Sequence, residues 1–276
     1  MLKANTSPIT TEDGIVCFKS DVDEKHADFH ASGLDTLYAS EKEHFWFVAR
    51  REKIVKLFKK HTKKSARVLE IGAGTGYIAQ GLQKERYQVA IGEMHLSGLK
   101  YGKQSGIEEC YQFDLFDPPF IEEFDAIRMF DVLEHLENDV NALYQVSKML
   151  KLDGILFLTV PAHKWLWSRL DTLSFHKRRY SKKMLKQKVE QAGLQIREAG
   201  FFFILILPLL YLRRLMDRDN GEAIKDSEGP SLAKFNPIMN KILLLLMRFE
   251  NCFSKWFPNI AGGSLFLVAE KKRGIE

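Results

Sequence analysis

Residues 68–76 read VLEIGAGTG, in which an apolar run ends in Glu70 and glycines fall at Gly72, Gly74 and Gly76. Glycine reaches dihedrals that other residues avoid and carries no side chain, so such a loop lets backbone approach a bound cofactor closely. Two more carboxylates, Glu93 and Asp114, follow the next two apolar runs. An acid after the second strand of an open α/β sheet is placed to accept hydrogen bonds from both hydroxyls of a ribose. An acid after the third could reach the amino edge of an adenine, although exposed strand ends often carry acids without any ligand. Two cofactors fit a glycine loop with these acids: a nicotinamide dinucleotide and S-adenosylmethionine. The dinucleotide fingerprint is G-x-G-x-x-G with a pyrophosphate at the helix N-terminus. Here the third glycine comes one residue early, and Glu70 sits badly beside a pyrophosphate. The same acid suits a sulfonium cofactor that also carries an ammonium group.

Other residues could handle an acceptor. His135 is the first candidate for a general base, because an unperturbed histidine titrates near pH 6.5. It could equally cap or pack its helix. Glu134 competes with it, or orients a neighbour. His163 and His176 bracket a loop holding Trp165 and Trp167. Spaced by two, these rings share one side of an extended segment and could form an apolar lid, or they pack on the core. Arg178 and Arg179 could grip a carboxylate or phosphate through paired hydrogen bonds, or form a solvated cluster before Ser181, which reads as an N-cap. Trp46, in the FWF triplet at 45–47, either packs in the core or lines a ligand pocket. Arg50 could fold over the cofactor and meet its carboxylate. The cysteines Cys17, Cys110 and Cys252 form no CxxC pair, so no disulfide framework is expected and no metal site is assigned.

The elements that must position these residues alternate. Strands are expected at 67–71, 87–91, 110–113, 124–130 and 155–160, with helices at 77–84 and 138–150 between them. A helical pattern at 36–60 precedes them. A helix at 182–191, a strand at 194–198 and a terminal strand at 264–270 follow. This alternation predicts an open, mostly parallel α/β sheet with helices on both faces. Residues 1–60 read as an N-terminal arm and lid helices, 61–200 as a Rossmann-like core, 201–260 as an apolar helical insertion or cap, and 261–276 as the final core strand and tail.

These pieces resemble the class I S-adenosylmethionine-dependent methyltransferases. The matching segments are VLEIGAGTG at 68–76, VAIGE at 89–93, QFDLFDPPF at 112–120, FDVLEHLEND at 130–139 and LDGILFLTVP at 152–161. The resemblance implies a seven-stranded mixed sheet whose last strand, 264–270, runs antiparallel. It also implies that Gly72, Ala73, Gly74 and Gly76 lie against the cofactor's amino-acid part. Glu93, with Met94 beside it, would bind ribose; Asp114 and Leu115 would contact adenine; Phe130 would lie beside the methionine portion. Many relatives carry Asp and a small residue where Glu93 and Met94 stand, but the carboxylate is kept. The flanking segments HFWFVARREKI (44–54), PAHKWLWSRLD (161–171) and HKRRYSKKML (176–185) look like one bacterial subgroup of the family. S-adenosyl-L-methionine is then the expected cofactor and S-adenosyl-L-homocysteine the product.

Composition narrows the acceptor. The 276 residues carry a formal net charge of +5, too mild and too scattered for a nucleic-acid stripe. No NPPY-like tetrapeptide follows the fourth strand, so an amino group on a base is a poor target and no nucleic acid is expected. The runs 201–212 and 242–247 are apolar on nearly all faces and must be buried or meet lipid. Neither reaches the roughly 20 residues of a spanning helix. They suit a cap, a homodimer face or a peripheral membrane contact flanked by Arg213, Arg214, Lys241 and Arg248. The expectation is O-methylation of an apolar or amphipathic small molecule or lipid-linked acceptor. An RNA or protein methyltransferase, or a non-catalytic cofactor-binding protein, are the alternatives. With no secretory signal at the N-terminus, the expected location is cytoplasmic, or the inner face of the membrane.

Overall fold

The structure, a computed structural model, describes residues 1–3, 7–18, 31–219, 235–254, 256 and 259–272. Parts of the polar N-terminal segment and of the polar stretch after 217 lie outside these residues. Two short strands, β1 (Ile9–Thr10) and β2 (Val16–Cys17), precede the helices α1 (Ala31–Ser40) and α2 (Phe45–His61). The alternating core follows as β3 (Arg67–Ile71), α3 (Tyr77–Lys84), β4 (Gln88–Glu93), α4 (Leu96–Gln104), β5 (Glu109–Gln112), β6 (Phe124–Phe130), α5 (Asp139–Met149) and β7 (Leu150–Pro161). Beyond it come α6 (Arg169–Leu173), α7 (Lys182–Gln191), β8 (Leu194–Phe202), α8 (Leu207–Asp219), α9 (Pro237–Cys252) and β9 (Ser264–Lys271).

The sheet order is β1-β2-β5-β4-β3-β6-β7-β9-β8, and β9 runs antiparallel to both β7 and β8. The antiparallel last strand and the helices inserted before it are as expected, but the sheet has nine strands rather than seven. The two extra strands come from the N-terminal arm. β2 pairs in parallel with β5, and β1 folds back on β2. They cover the open backbone groups of an edge that would otherwise face solvent.

Strand alternation builds two cores. Leu69 and Ile71 face α5 with Ile127, Met129, Leu143 and Val146. Val68 faces α2 and α3 with Ala126, Phe157, Phe58 and Leu82. This second face carries a buried cross-strand ion pair. Arg128 is fully buried, its Nη2 donates to Glu70 Oε2 at 2.5 Å, and its guanidinium lies over Phe58 and Phe130.

Several boundaries depart from the sequence pattern. The helical stretch at 36–60 is two helices, broken at 41–44, with His44 accepting the Trp46 amide as N-cap of α2. The strand expected from 155 starts earlier, at Leu150, so the 151–154 segment is part of β7. Phe201 and Phe202 end β8 instead of opening a helix, since a short apolar run alone does not separate strand from helix. The inserted helices are also less buried than their composition implied. On α9 only Leu243, Met247 and Glu250 are buried. They pack with Phe45, Ala49, Phe202, Phe203 and Phe266. Asn240 fastens α9 to α2 by accepting the Phe45 amide and donating to Glu43 O, both at 2.9 Å. Glu250 Oε2 accepts the amides of Ile204 and Leu205 at 2.8 and 2.9 Å.

Candidate active site

The carboxyl ends of β3, β4, β5 and β6 open into a cavity of about 490 Å³ with mostly apolar walls. That volume is in the usual range for a cofactor or small-ligand pocket. The glycine loop forms its floor. Gly72, Gly74 and Gly76 all have positive φ, at 65°, 54° and 76°. At Gly72 a Cβ would stand 2.4 Å from Val132 Cγ2, so both dihedral and space exclude a side chain. Glu93 ties the loop to β4: its Oε2 accepts the Gly74 amide at 3.1 Å and its Oε1 the Met94 amide at 2.8 Å.

Of the residues singled out for the cofactor, Glu70, Gly72, Ala73, Gly74, Glu93, Met94, Asp114, Leu115, Phe130 and Arg50 all line this cavity. Gly76 stands just behind it as the N-cap of α3. Glu70 turns one oxygen to Arg128, and Asp114 Oδ1 accepts the Phe116 amide at 2.8 Å. Arg50 reaches the cavity from α2. Its Nη2 lies 2.7 Å from Asp131 Oδ2 and donates to Thr159 Oγ1 at 2.8 Å, and Thr159 in turn donates to Asp131 Oδ1 at 2.9 Å.

Two acidic residues of this wall were missed. Asp131 directly follows β6, so the rule that picked Glu93 and Asp114 would have found it. Glu41 gave no signal, because it lies in the break inside what reads as one helix. Glu41 Oε2 accepts the Thr75 hydroxyl at 2.5 Å. Burial lifts its carboxyl from an ordinary 4.5 to about 7, against smaller opposing effects of Thr75, Lys42 and Arg51. Among the described residues, Glu41 Oε1 and Arg50 Nε are both buried without a hydrogen-bond partner. Glu41 and Arg50 both line the cavity, so its wall carries a carboxylate and a guanidinium, which fit the ammonium and carboxylate of an amino-acid tail. Together with Glu93 beneath the loop, these residues fit S-adenosylmethionine.

The acceptor candidates divide. His135 lines the cavity, at the end of a 3₁₀ turn, Leu133–His135. Glu134 is fully buried behind it, and burial followed by the Asp131 charge pushes its carboxyl well above the usual range. His176 stands edge-on to His135, with ring centroids 4.8 Å apart. His176 Nδ1 is 2.9 Å from Asp171 Oδ1. Burial alone would raise the Asp171 carboxyl, but bonds from His176 and Arg179 outweigh it and hold it at about 2.

The remaining candidates are not among the cavity-lining residues. Trp46 stacks on Phe203 at 3.8 Å in the cap, and its neighbour Phe47 lines the cavity instead. His163 is stacked between Phe201 and Trp165, and burial, then Arg179, lowers its basicity. Trp165 and Trp167 do not share one side of an extended strand, because a 3₁₀ turn, Lys164–Leu166, intervenes. Trp165 meets Tyr211 of α8, while Trp167 Nε1 donates to Thr172 Oγ1 at 3.4 Å. Both arginines spend their donors within the chain. Arg178 donates to Leu136 O, Glu137 O and Asp139 Oδ2, and Arg179 to Asp171 Oδ1 and Ala162 O.

Residues 38–199 match the family model of the methyltransferase domain. The chain belongs to this methyltransferase family. No curated protein sequence matches the methyltransferase significantly. Among solved structures it is similar to phosphoethanolamine N-methyltransferase 2 of Haemonchus contortus in complex with S-adenosyl-L-methionine. That pair shares 15% identity at a TM-score of 0.58, over 90% of this chain and 59% of the other. It is similar to an S-adenosylmethionine-dependent methyltransferase of Thermotoga maritima, at 17% identity and a TM-score of 0.53, over 87% and 99% of the chains. It is also similar to the [4+2]-cyclase SpnF, at 17% identity and a TM-score of 0.53, over 80% of each chain. These likenesses show the fold. The methyltransferase is thus an S-adenosylmethionine-dependent enzyme of the class I fold, and its acceptor has to be read from its own site.

Proposed function

We propose that the enzyme methylates an oxygen of an apolar or amphipathic small molecule or a lipid-linked acceptor, as a member of the bacterial subgroup marked by the FWF, PAHKWLW and HKRRY segments. The observation that carries this reading is the cap. α8 and α9 turn Leu209, Leu212, Leu215, Ile242, Leu245 and Phe249 to solvent. The inner side of α9 packs on α2, whose Phe47 and Arg50 reach the cavity. An apolar face beside a mostly apolar pocket, flanked by Arg213, Arg214 and Lys241, suits a greasy acceptor delivered from an interface. We place the enzyme in the cytoplasm at the inner face of the membrane. The contact is peripheral, since among the described residues no helix is long and apolar enough to cross.

Bound in the cavity, S-adenosylmethionine supplies an electrophilic methyl group. The glycine loop and Glu93 would hold its nucleoside and amino-acid parts, with Asp114, Leu115 and Phe130 around them. The apolar walls exclude water and align the acceptor for in-line transfer. The acceptor oxygen meets the end of the cavity where His135 stands, with Glu134 behind it. The test is incubation with methyl-labelled S-adenosylmethionine and, separately, a bacterial lipid extract, an RNA pool and a protein extract. Label is expected in the organic phase as a methyl ether or ester. Label confined to RNA or protein, or to an amine, would refute the reading.

A further inference from the structure

Glu134, His135 and His176 each offer one ligand-type atom, and these atoms all lie within 4.8 Å of one another. His176 Nε2 and Glu134 Oε1 are 4.0 Å apart. Two atoms bound to one ion at about 2.1 Å can be at most roughly 4.2 Å apart, so a small ring rotation closes the set.

A second observation is the unmet hydrogen-bonding capacity of Glu134. Among the described residues, neither carboxylate oxygen of the fully buried Glu134 has a hydrogen-bond partner outside its own residue. Buried polar groups are ordinarily satisfied, and a buried charge without a partner is costly. The neighbouring acids are accounted for: Asp131 meets Arg50 at 2.7 Å, and Asp171 meets Arg179 at 2.7 Å. Among the described residues no guanidinium is in ion-pair contact with Glu134, although the Arg50 charge is felt there.

A third observation concerns His176. Asp171, itself buried, holds the Nδ1 edge of the ring at 2.9 Å. With the Nδ1 edge on Asp171, Nε2 is the ring atom on the Glu134 side, 4.0 Å from Oε1. A carboxylate behind the far nitrogen is the usual support of a metal-binding histidine.

We propose that Glu134, His135 and His176 bind a divalent transition-metal ion at the edge of the cavity. One carboxylate and two imidazoles favour the manganese-to-zinc series over calcium or magnesium, which prefer oxygen throughout. Three protein ligands leave coordination positions open. Because His135 also lines the cavity, one open position faces the acceptor, where the ion holds an acceptor oxygen in place. That role rests on the O-methylation reading; the binding site itself does not. The sequence concealed the site because His176 lies 41 residues beyond His135 and comes to it only through the loop after β7.

The test uses the full chain, stripped with EDTA and titrated with Co²⁺ while visible absorption is followed. One ion per chain is expected, with the weak bands of a nitrogen and oxygen ligand set. His176→Asn and Glu134→Gln should each bind Co²⁺ more than tenfold more weakly while still binding S-adenosylhomocysteine. If Glu134→Gln loses S-adenosylhomocysteine as well, His176→Asn decides alone. No stoichiometric binding in wild type, unchanged affinity in His176→Asn, or a thiolate band from a cysteine would overturn the proposal. Since no acceptor is present, Co²⁺ binding can fail while lipid methylation stands, and the reverse.

Discussion

Glu41 offers the cleanest quantitative test of the site's construction. It lies between α1 and α2, 2% exposed, with one oxygen on Thr75 and the other unpartnered. Its carboxyl titrates at about 7 in the folded chain, against an ordinary 4.5. The folded state therefore keeps a proton that the unfolded state has released. Below pH 4.5 both states are protonated and nothing is lost. Between pH 4.5 and 7 stability falls, and above 7 the full cost remains. At 1.36 kcal/mol for each pH unit, the 2.5-unit gap costs about 3 kcal/mol at pH 8 and roughly 0.2 kcal/mol at pH 4. Glu41→Gln keeps an acceptor for the Thr75 hydroxyl and cannot ionise. Its stability relative to wild type should rise by about 3 kcal/mol between pH 4 and pH 8, or roughly 6–12 °C in melting temperature for a chain of this size. Urea unfolding of both proteins at four pH values measures this. A constant offset between the proteins would arise from packing and is uninformative; the pH dependence of the difference carries the test. Two curves that stay parallel from pH 4 to 8 would refute the reasoning.

Glu93→Ala removes the carboxylate that holds the Gly74 amide and faces the cavity. A lost charged hydrogen bond is worth about 1.5–3 kcal/mol, so calorimetry should show S-adenosylhomocysteine binding roughly 10- to 100-fold more weakly. Arg128→Met leaves Glu70 buried without its partner and should cost about 3–5 kcal/mol in urea unfolding, whereas Glu70→Leu with Arg128→Met together should recover most of it. A double variant no more stable than Arg128→Met would show that the loss is one of packing, not of an orphaned charge.

The parts of the site legible in the sequence are those whose chemistry is local. The glycine loop declares itself because positive φ at Gly72, Gly74 and Gly76 demands the residue type itself. Strand β6 and helices α3 and α7 match their expected bounds because burial imprints a period on consecutive residues. The two-residue strands β1 and β2 have no such period; they exist because the edge of β5 offers them a partner. Glu70 was placed by its position at the end of a strand, but no local rule foretold that Arg128 lies opposite it in register. Arg178 and Arg179 look like free anion grips for the same reason: their acceptors, Asp139 and Asp171, are remote from the local pattern that suggested them.

That division bears on what the fold can tell about the reaction. A [4+2]-cyclase shares this architecture, so the cofactor cradle alone does not fix the chemistry. The groups that differ between such proteins must stand where a second molecule meets the cavity. In this chain that place is built from three distant segments: Arg50 from α2, Asp131 and His135 after β6, and His176 from the loop beyond β7. Two of these have identified holders: Thr159 of β7 for Arg50, and Asp171, within the same loop region, for His176. Changing a holder should therefore alter acceptor handling while leaving the Glu93 end of the cavity intact. Asp171→Asn is the sharpest case, since it would loosen His176 without touching any cavity-lining residue. Its kcat should fall with S-adenosylhomocysteine affinity unchanged, and equal losses in both would mean that the two ends of the cavity are one structural unit.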